Sequence, residues 1–581
     1  MNQLPDTVAD TVADLALTGL ARFGTAPAQR FKRGSQWQQR NYTELAESTR
    51  EVALGLVALG VNAGDRVCIL AETRPEWLDI QLGIAAAGAI AVTIYASNTP
   101  DECAWVIGNS GAVLVFCENA MQVAKIESVR TQLPQLRHVL AIDSDSNTLA
   151  QLQKMGGDIE EVRTRACAVR PDDPALIVYT SGTTGRPKGC VLTHRNLMSI
   201  CVASSALNLV HEDDLLYIFL PLAHVMGQIM QIAALGVGAE TGYVSNGQAS
   251  IMTDFSELSP TVFPSAPRIF EKVYAAVTGR LSATQLDAVV RAGLAVADGT
   301  ASDAVRAIAE QADATVFSQV RTLLGGRLRL AISGSAPIAP AILEFFRAAR
   351  VPVYEGWGLT ESTGLGTLVP ADDVRIGTIG TVVPNAELRV ADDGELLLRG
   401  PMIFKEYWRN PRATEEAFVD GWFRTGDLGS LDDDGFVSIT GRKKDIIITS
   451  GGKNIAPSLI ENDLRQSPWI SQAVMFGDRR PYLVALITLD PDHLTKWARD
   501  HGLADDVAML VGHPAVRAVV EEIVAQANGK YARVAQIKRF AILERELTLA
   551  AGEITPSLKI KRSVVGAKHV DLINTLYELS G

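Results

Sequence analysis

From Asp65 onward, short apolar runs of strand length alternate with longer segments of helical periodicity, and this alternation restricts the possible folds more than any other feature. Arg66–Leu70 is followed by a helical pattern near Trp77–Ala87 and a second apolar run at Ile90–Tyr95. Ala112–Cys117, Met121–Leu133 and His138–Ile142 repeat the series. Strand, helix and strand in succession predict parallel sheets covered by helices, because a parallel neighbour is reached only through a crossover. Such sheets hold ligands at the carboxyl ends of their strands. Three polar, glycine-bearing segments follow strand-like runs: Ser181–Gly189 after Ala175–Val178, Ser333–Pro337 after Leu328–Ile332, and Glu355–Glu361 after Val351–Tyr354. They are expected to converge on one pocket.

The 581 residues, 47% of them apolar, suffice for more than one core. A mainly helical stretch at about 268–325 reads as an inserted bundle, and Glu387–Arg399, turning at Asp392-Asp393-Gly394, as a β-hairpin. A dense charged segment, Gly441–Asp445, precedes a fresh strand–helix–strand series at Ile446–Thr449, Ser458–Gln466 and Gln472–Phe476. The expected architecture is α/β: a large domain over 1–441 with parallel-type sheets, covering helices and a β-rich subdomain, a connector at 442–445, and a small α+β domain over 446–581.

A net charge of −12 argues against a general affinity for nucleic acid or anionic membrane. The six cysteines form no CxxC or Cys/His cluster, which speaks against zinc and a disulfide scaffold, and Cys190 reads as a small buried residue. Near the N-terminus, the Asp6–Ala9 unit recurs at Asp10–Ala13 as part of a short lead-in helix. Asp6, Asp10 and Asp14 stand where a signal peptide would be basic and then apolar. The most apolar stretch, Leu78–Ala96, is interrupted by Asp79 and Gln81 and reads as a buried helix followed by a strand. Asn41-Tyr42-Thr43 fits a glycosylation pattern by chance, and a reduced cytoplasmic setting is expected.

The run Tyr179–Gly189 surrounds Lys188 with the hydroxyls of Thr180, Ser181, Thr183 and Thr184 and with Gly182, Gly185 and Gly189. Backbone N–H groups and hydroxyls exposed at the end of a strand suit a polyanion, and the lysine adds charge. Pro187 before the lysine and Gly189 after it exclude a Walker A motif, so a different phosphate-handling class is implied.

Taken in order, Tyr179–Gly189, Tyr354–Glu361, Asp420–Asp427, Gly441–Asp445 and Thr555–Arg562 resemble the adenylate-forming ligase superfamily of acyl-CoA synthetases, luciferases and peptide-synthetase adenylation domains. Leu220–Met226, Ser333–Pro337, the stretch Asp420–Lys444, Ser450–Ile455 and Arg480–Leu486 are most similar to long-chain fatty acyl-CoA synthetases. The resemblance implies ATP, Mg²⁺, a fatty acid and coenzyme A as reactants. Attack of the carboxylate on the α-phosphate makes an acyl-adenylate and releases pyrophosphate, after which a thiol displaces AMP. A fatty acyl-AMP ligase serving a carrier protein, or a silent acyl- or nucleotide-binding regulator, stays open as an alternative, as does peripheral membrane contact.

By that resemblance, Thr180, Ser181, Gly182, Thr183, Thr184, Gly185 and Lys188 hold the β- and γ-phosphates. Glu361 is the magnesium ligand and Thr360 touches the phosphates. Gly334, Ser335, Glu355, Gly356 and Gly358 edge the nucleotide, and Trp357 stands where the family stacks an aromatic ring on adenine. Asp427 accepts from the ribose hydroxyls with Arg442 as companion. His224 positions the carboxylate or shapes the acyl entrance, and is not needed as a base because the attacking carboxylate is already ionised. Lys559 is the catalytic lysine brought by the small domain. Lys444 is the hinge about which that domain turns, and Gly451, Gly452 and Lys453 receive coenzyme A.

Overall fold

Five parallel strands (Pro174–Thr180, Ile90–Tyr95, Arg66–Ala71, Leu114–Asn119 and His138–Asp143) form the centre of a seven-stranded sheet in the computed structural model, which describes residues 9–144, 147–180, 186–247, 249–279, 281–555 and 559–578. Helices Glu76–Ala86, Pro100–Ser110 and Ala120–Glu127 lie between these strands in sequence. Local chemistry sets their ends. Pro100–Ser110 begins with a reciprocal capping box between Thr99 and Glu102, takes proline in its first turn, and stops at Gly111 in the left-handed conformation.

A nine-stranded sheet follows the same logic with six parallel strands at its centre, from Pro27–Arg33 through Glu240–Tyr243, Leu215–Ile218, Val262–Ser265 and Leu330–Ser333 to Val353–Trp357. The edges are antiparallel, which the strand–helix alternation does not reveal. At one edge, Gly356 and Trp357 pair with Leu368 and Thr367 of a returning strand. Glu355, Gly356 and Trp357 therefore belong to a strand, not to the loop that the glycines suggest. In the seven-stranded sheet, Lys188–Thr193 pairs antiparallel with Pro174–Thr180, with Thr180 opposite Lys188. A two-residue strand, Glu406–Tyr407, extends that edge against Val191 and Cys190. Burial pushes the Cys190 thiol well above its ordinary value, as befits a packing residue.

A third, five-stranded antiparallel sheet contains the hairpin Glu387–Val390/Glu395–Arg399 and the long pair Trp422–Leu431/Val437–Arg442. The segment 268–325 is helical, and Phe270 and Phe317 pack edge-on against Phe346 and Phe345. Beyond Asp445 the apolar clusters draw on residues 447–577 alone, around the sheet Ile470–Phe476, Leu483–Leu489 and Ile537–Ile542. This C-terminal unit meets the rest through an ion pair: Arg268 Nη2 lies 3.0 Å from Asp490 Oδ2. Burial raises the neighbouring Glu271 carboxyl, against the opposing pull of Arg465 and Arg268. Among the described residues, no helix is long and apolar enough to cross a membrane.

Candidate active site

The carboxyl ends of the two large sheets open on a cavity of about 570 Å³. Thr180 and Lys188 line it from the antiparallel pair, Gly334 and Ser335 from the loop after Leu330–Ser333, and Gly356, Gly358, Thr360 and Glu361 from the next strand and turn. The three glycine-bearing segments thus converge as expected. Ser181, Gly182, Thr183, Thr184 and Gly185 lie outside the described residues.

Glu361 occupies the short 3₁₀ turn Thr360–Ser362. Its Oε1 accepts a hydrogen bond from the Tyr407 hydroxyl at 2.7 Å, and its carbonyl accepts from the Phe404 N–H at 2.8 Å. Lys188 places its ammonium 5.0 Å from the centre of the Tyr407 ring. No group of three His, Cys, Asp or Glu side chains suited to a metal is assembled among the described residues. One carboxylate oxygen on a cavity wall fits Mg²⁺, which keeps much of its shell as water and phosphate oxygens.

Asp427 and Arg442 face each other across the long antiparallel pair. Asp427 Oδ1 accepts from Arg442 Nε at 2.6 Å, and Oδ2 accepts from Trp357 Nε1 at 2.9 Å. Trp357 and Asp427 are only 8% and 3% exposed, and neither lines the cavity. Trp357, expected as the adenine platform, packs its ring in the core in this arrangement, close enough that a Cβ at Gly366 would come within 3.0 Å of it, and its N–H donates to Asp427. Glu355 also lies off the cavity wall, paired across the sheet with Ser333, and burial raises its carboxyl to about 7.

His224 caps the apolar helix Val225–Val237, with Nδ1 accepting the Met226 N–H at 3.3 Å. Burial, and then the nearby Lys559 ammonium, lower its pKa to about 4. The ring is thus neutral at pH 7, and the capping bond leaves Nε2 as the protonated nitrogen. Beyond His224 the cavity becomes apolar, between Ile200 and Ser204 of one helix and Ile229, Met230 and Ala233 of the next. These wall residues escape motif reading, although an apolar helix with side chains at i and i+4 on one face is the available signal.

Lys559 enters the same cavity from the C-terminal unit. Its backbone pairs with Thr555 in both directions, the Thr555 N–H donating to its carbonyl at 2.8 Å and its own N–H to Thr555 Oγ1 at 3.0 Å. Enclosure lowers the pKa of its ammonium, Arg442 lowers it further, and Asp427 and Glu361 oppose both. Glu553 ties the segments on either side: its carboxylate accepts from Arg545 Nη1 and Nη2 at 2.8 and 2.9 Å, and its carbonyl accepts from the Lys561 N–H at 2.8 Å.

The Arg545 guanidinium holds the Glu553 carboxyl at about 2, below its ordinary 4.5. The stabilisation is therefore complete above pH 4.5 and is lost as pH falls through 2. Glu553→Gln should cost roughly 1–3 kcal/mol at neutral pH, the exposed Arg545 limiting the effect. In unfolding experiments its deficit should close on acidification; a deficit that ignores pH would exclude the ion pair as its cause.

Lys444 lines the cavity beside Lys443, whose ammonium is held by Glu395 at 2.9 Å and by Asp393. Gly451, Gly452 and Lys453 are not brought to the site. They form an exposed turn between Ile447–Ile448 and Asn454–Ile455, with Gly452 at φ 72°.

Lys188, Glu361 and an apolar wall in the large domain, met by Lys559 from the C-terminal unit, suit an enzyme that activates a carboxylic acid with a nucleotide. The chain belongs to the AMP-binding enzyme family, whose profile matches residues 18–408, with the AMP-binding enzyme C-terminal domain at 444–580. The long-chain-fatty-acid–CoA ligase FadD15 of Mycobacterium bovis is 40% identical over 556 residues, covering 93% of this chain and 92% of the relative. ACSBG2 of Xenopus laevis, also a long-chain-fatty-acid–CoA ligase, is 31% identical across 98% of this chain and 84% of its own length. Among solved structures, the adenylation domain of a carboxylate reductase from Mycobacterium chelonae shares the fold with a TM-score of 0.75 at 18% identity, covering 98% of this chain and 91% of that one.

Proposed function

We propose that this protein joins a long-chain fatty acid to coenzyme A at the expense of ATP, by way of an acyl-adenylate. The observation that carries this reading is the single cavity that unites Lys188, Glu361 and Lys559 with an apolar tunnel behind His224. The names of the full-length relatives support the same substrate class.

The acid lies with its chain between the two helices and its carboxylate beside the Nε2–H of His224. Lys188, with Thr180–Gly185, holds the β- and γ-phosphates, and Thr360 adds a hydroxyl. Glu361 would hold Mg²⁺, which would offset phosphate charge. Asp427 keeps lone pairs beyond those that Trp357 and Arg442 use, and these accept from the ribose. Lys559 stabilises the charge that develops as the carboxylate oxygen bonds to the α-phosphorus and the bond to the pyrophosphate oxygen breaks. For the second step the unit 446–581 turns about Lys444, withdrawing Lys559 and bringing Gly451, Gly452 and Lys453 towards the tunnel mouth. The thiol then bonds to the acyl carbonyl carbon, its proton passes to solvent, and AMP leaves.

Incubation with ATP, Mg²⁺, coenzyme A and a panel of fatty acids, read by mass spectrometry, should give acyl-CoA, AMP and pyrophosphate in equal amounts. Formation of ADP would overturn the reading. Acyl-AMP that accumulates despite coenzyme A would transfer the chain to the class that loads carrier proteins.

A further inference from the structure

Tyr407 lies outside every phosphate motif, yet it touches both groups on which nucleotide handling depends. Its hydroxyl donates to Glu361 Oε1 at 2.7 Å, and its ring faces the Lys188 ammonium at 5.0 Å. The backbone around it is clamped to the same two elements. The Phe404 N–H donates to the Glu361 carbonyl at 2.8 Å, the Lys405 N–H to Val191 at 3.0 Å, and the Trp408 N–H to Gly189 at 2.7 Å. Tyr407 N–H is taken by Thr414 Oγ1 at 3.0 Å, and Phe404 packs edge-on against the ring at 4.8 Å.

We propose that Tyr407 is a positioning residue that orients the Glu361 carboxylate for a divalent cation and sets the Lys188 ammonium for the phosphates. The inference rests on the reading of Glu361 as cation ligand and Lys188 as phosphate ligand. A carboxylate fixed through one oxygen presents the other in a defined direction, and loss of such an outer partner typically costs 10–100-fold in metal affinity. The aromatic face meanwhile holds the lysine without neutralising it, as a carboxylate partner would.

The two contacts can be separated. Tyr407→Phe keeps the ring and removes the hydroxyl, whereas Tyr407→Leu removes both. Mn²⁺ binding in the presence of a non-hydrolysable ATP analogue, followed by electron paramagnetic resonance, reads the cation site without turnover. Analogue binding in the absence of metal reads the lysine. Tyr407→Phe should weaken Mn²⁺ about tenfold or more and leave metal-free analogue binding within about twofold. Tyr407→Leu should weaken both. In a Glu361→Gln background, Tyr407→Phe should add no further loss of Mn²⁺ affinity.

If Glu361→Gln itself leaves Mn²⁺ affinity intact, the reading of the cation site fails and the inference with it. If Glu361→Gln weakens Mn²⁺ but Tyr407→Phe does not, the inference alone is overturned. Additive losses in the double variant, or losses that merely follow a fall in thermal stability, overturn it too.

Discussion

Lys559→Ala should lower acyl-adenylate formation by about 10²–10⁴-fold, on the order of 3–5 kcal/mol of transition-state stabilisation, and leave thioester formation from supplied acyl-AMP within about tenfold. Lys559 is a cation that the C-terminal unit adds, beside Lys561, to a site already holding Lys188 and Arg442. Lys188 belongs to the large domain and Arg442 to the connector, and neither replaces a charge delivered from the opposite side. Its lowered pKa gives a second signature. The protonated form is the useful one, so adenylation should fall as pH rises through a value below the ordinary 10.5. Lys559→Arg, which stays charged, should move that alkaline limb upward. Single-turnover release of pyrophosphate measures the first half-reaction, and acyl-CoA formed from acyl-AMP measures the second. Equal losses in both would defeat the division of labour proposed for the two geometries.

Asp427→Ala should damage stability and nucleotide binding together. Its two oxygens satisfy the Trp357 indole N–H inside the core and the Arg442 guanidinium at the cavity. A buried donor left unpaired costs about 1–3 kcal/mol. Arg442 is 48% exposed and can recruit water, so the total should be about 2–4 kcal/mol. Asp427→Asn keeps an acceptor for the indole but gives up the charge, and should fall between wild type and alanine in denaturant unfolding. The kcat/KM for ATP should fall about a hundredfold in the alanine variant, near 2.7 kcal/mol. Unchanged stability in both variants would show that the Trp357–Asp427–Arg442 contacts carry no net weight.

That Lys188, Glu361, His224 and Lys559 would share one cavity could be anticipated because each sits in a short motif, and the strand–helix alternation placed most of those motifs at strand ends. What stayed hidden depended on pairings between distant segments. The motif around Trp357 suggests a stacking platform, and the contacts with Gly366 and the Asp427 carboxylate that bury the ring could not be read from it. Tyr407 acquires its role only when Glu406–Tyr407 joins the edge at Val191 and Cys190. Periodicity reports which faces of an element are apolar; it is silent on which edge strand arrives beside it. Gly451–Lys453 lie off the cavity in this arrangement, and only the turn proposed for the C-terminal unit would bring them to it.

The Arg268–Asp490 pair joins those bodies at their rim, 36% and 19% exposed, in the arrangement that places Lys559 in the cavity. If that arrangement must open for the second half-reaction, dissolved salt becomes a lever on which half-reaction dominates. Raising ionic strength from 0.1 to 1 M shortens the Debye length from about 10 to 3 Å and weakens a half-exposed pair. Potassium chloride should therefore slow adenylation relative to thioester formation in the wild type, and that salt response should flatten in Asp490→Asn. The catalytic cycle would then register the ionic composition of its surroundings through a contact that touches no substrate.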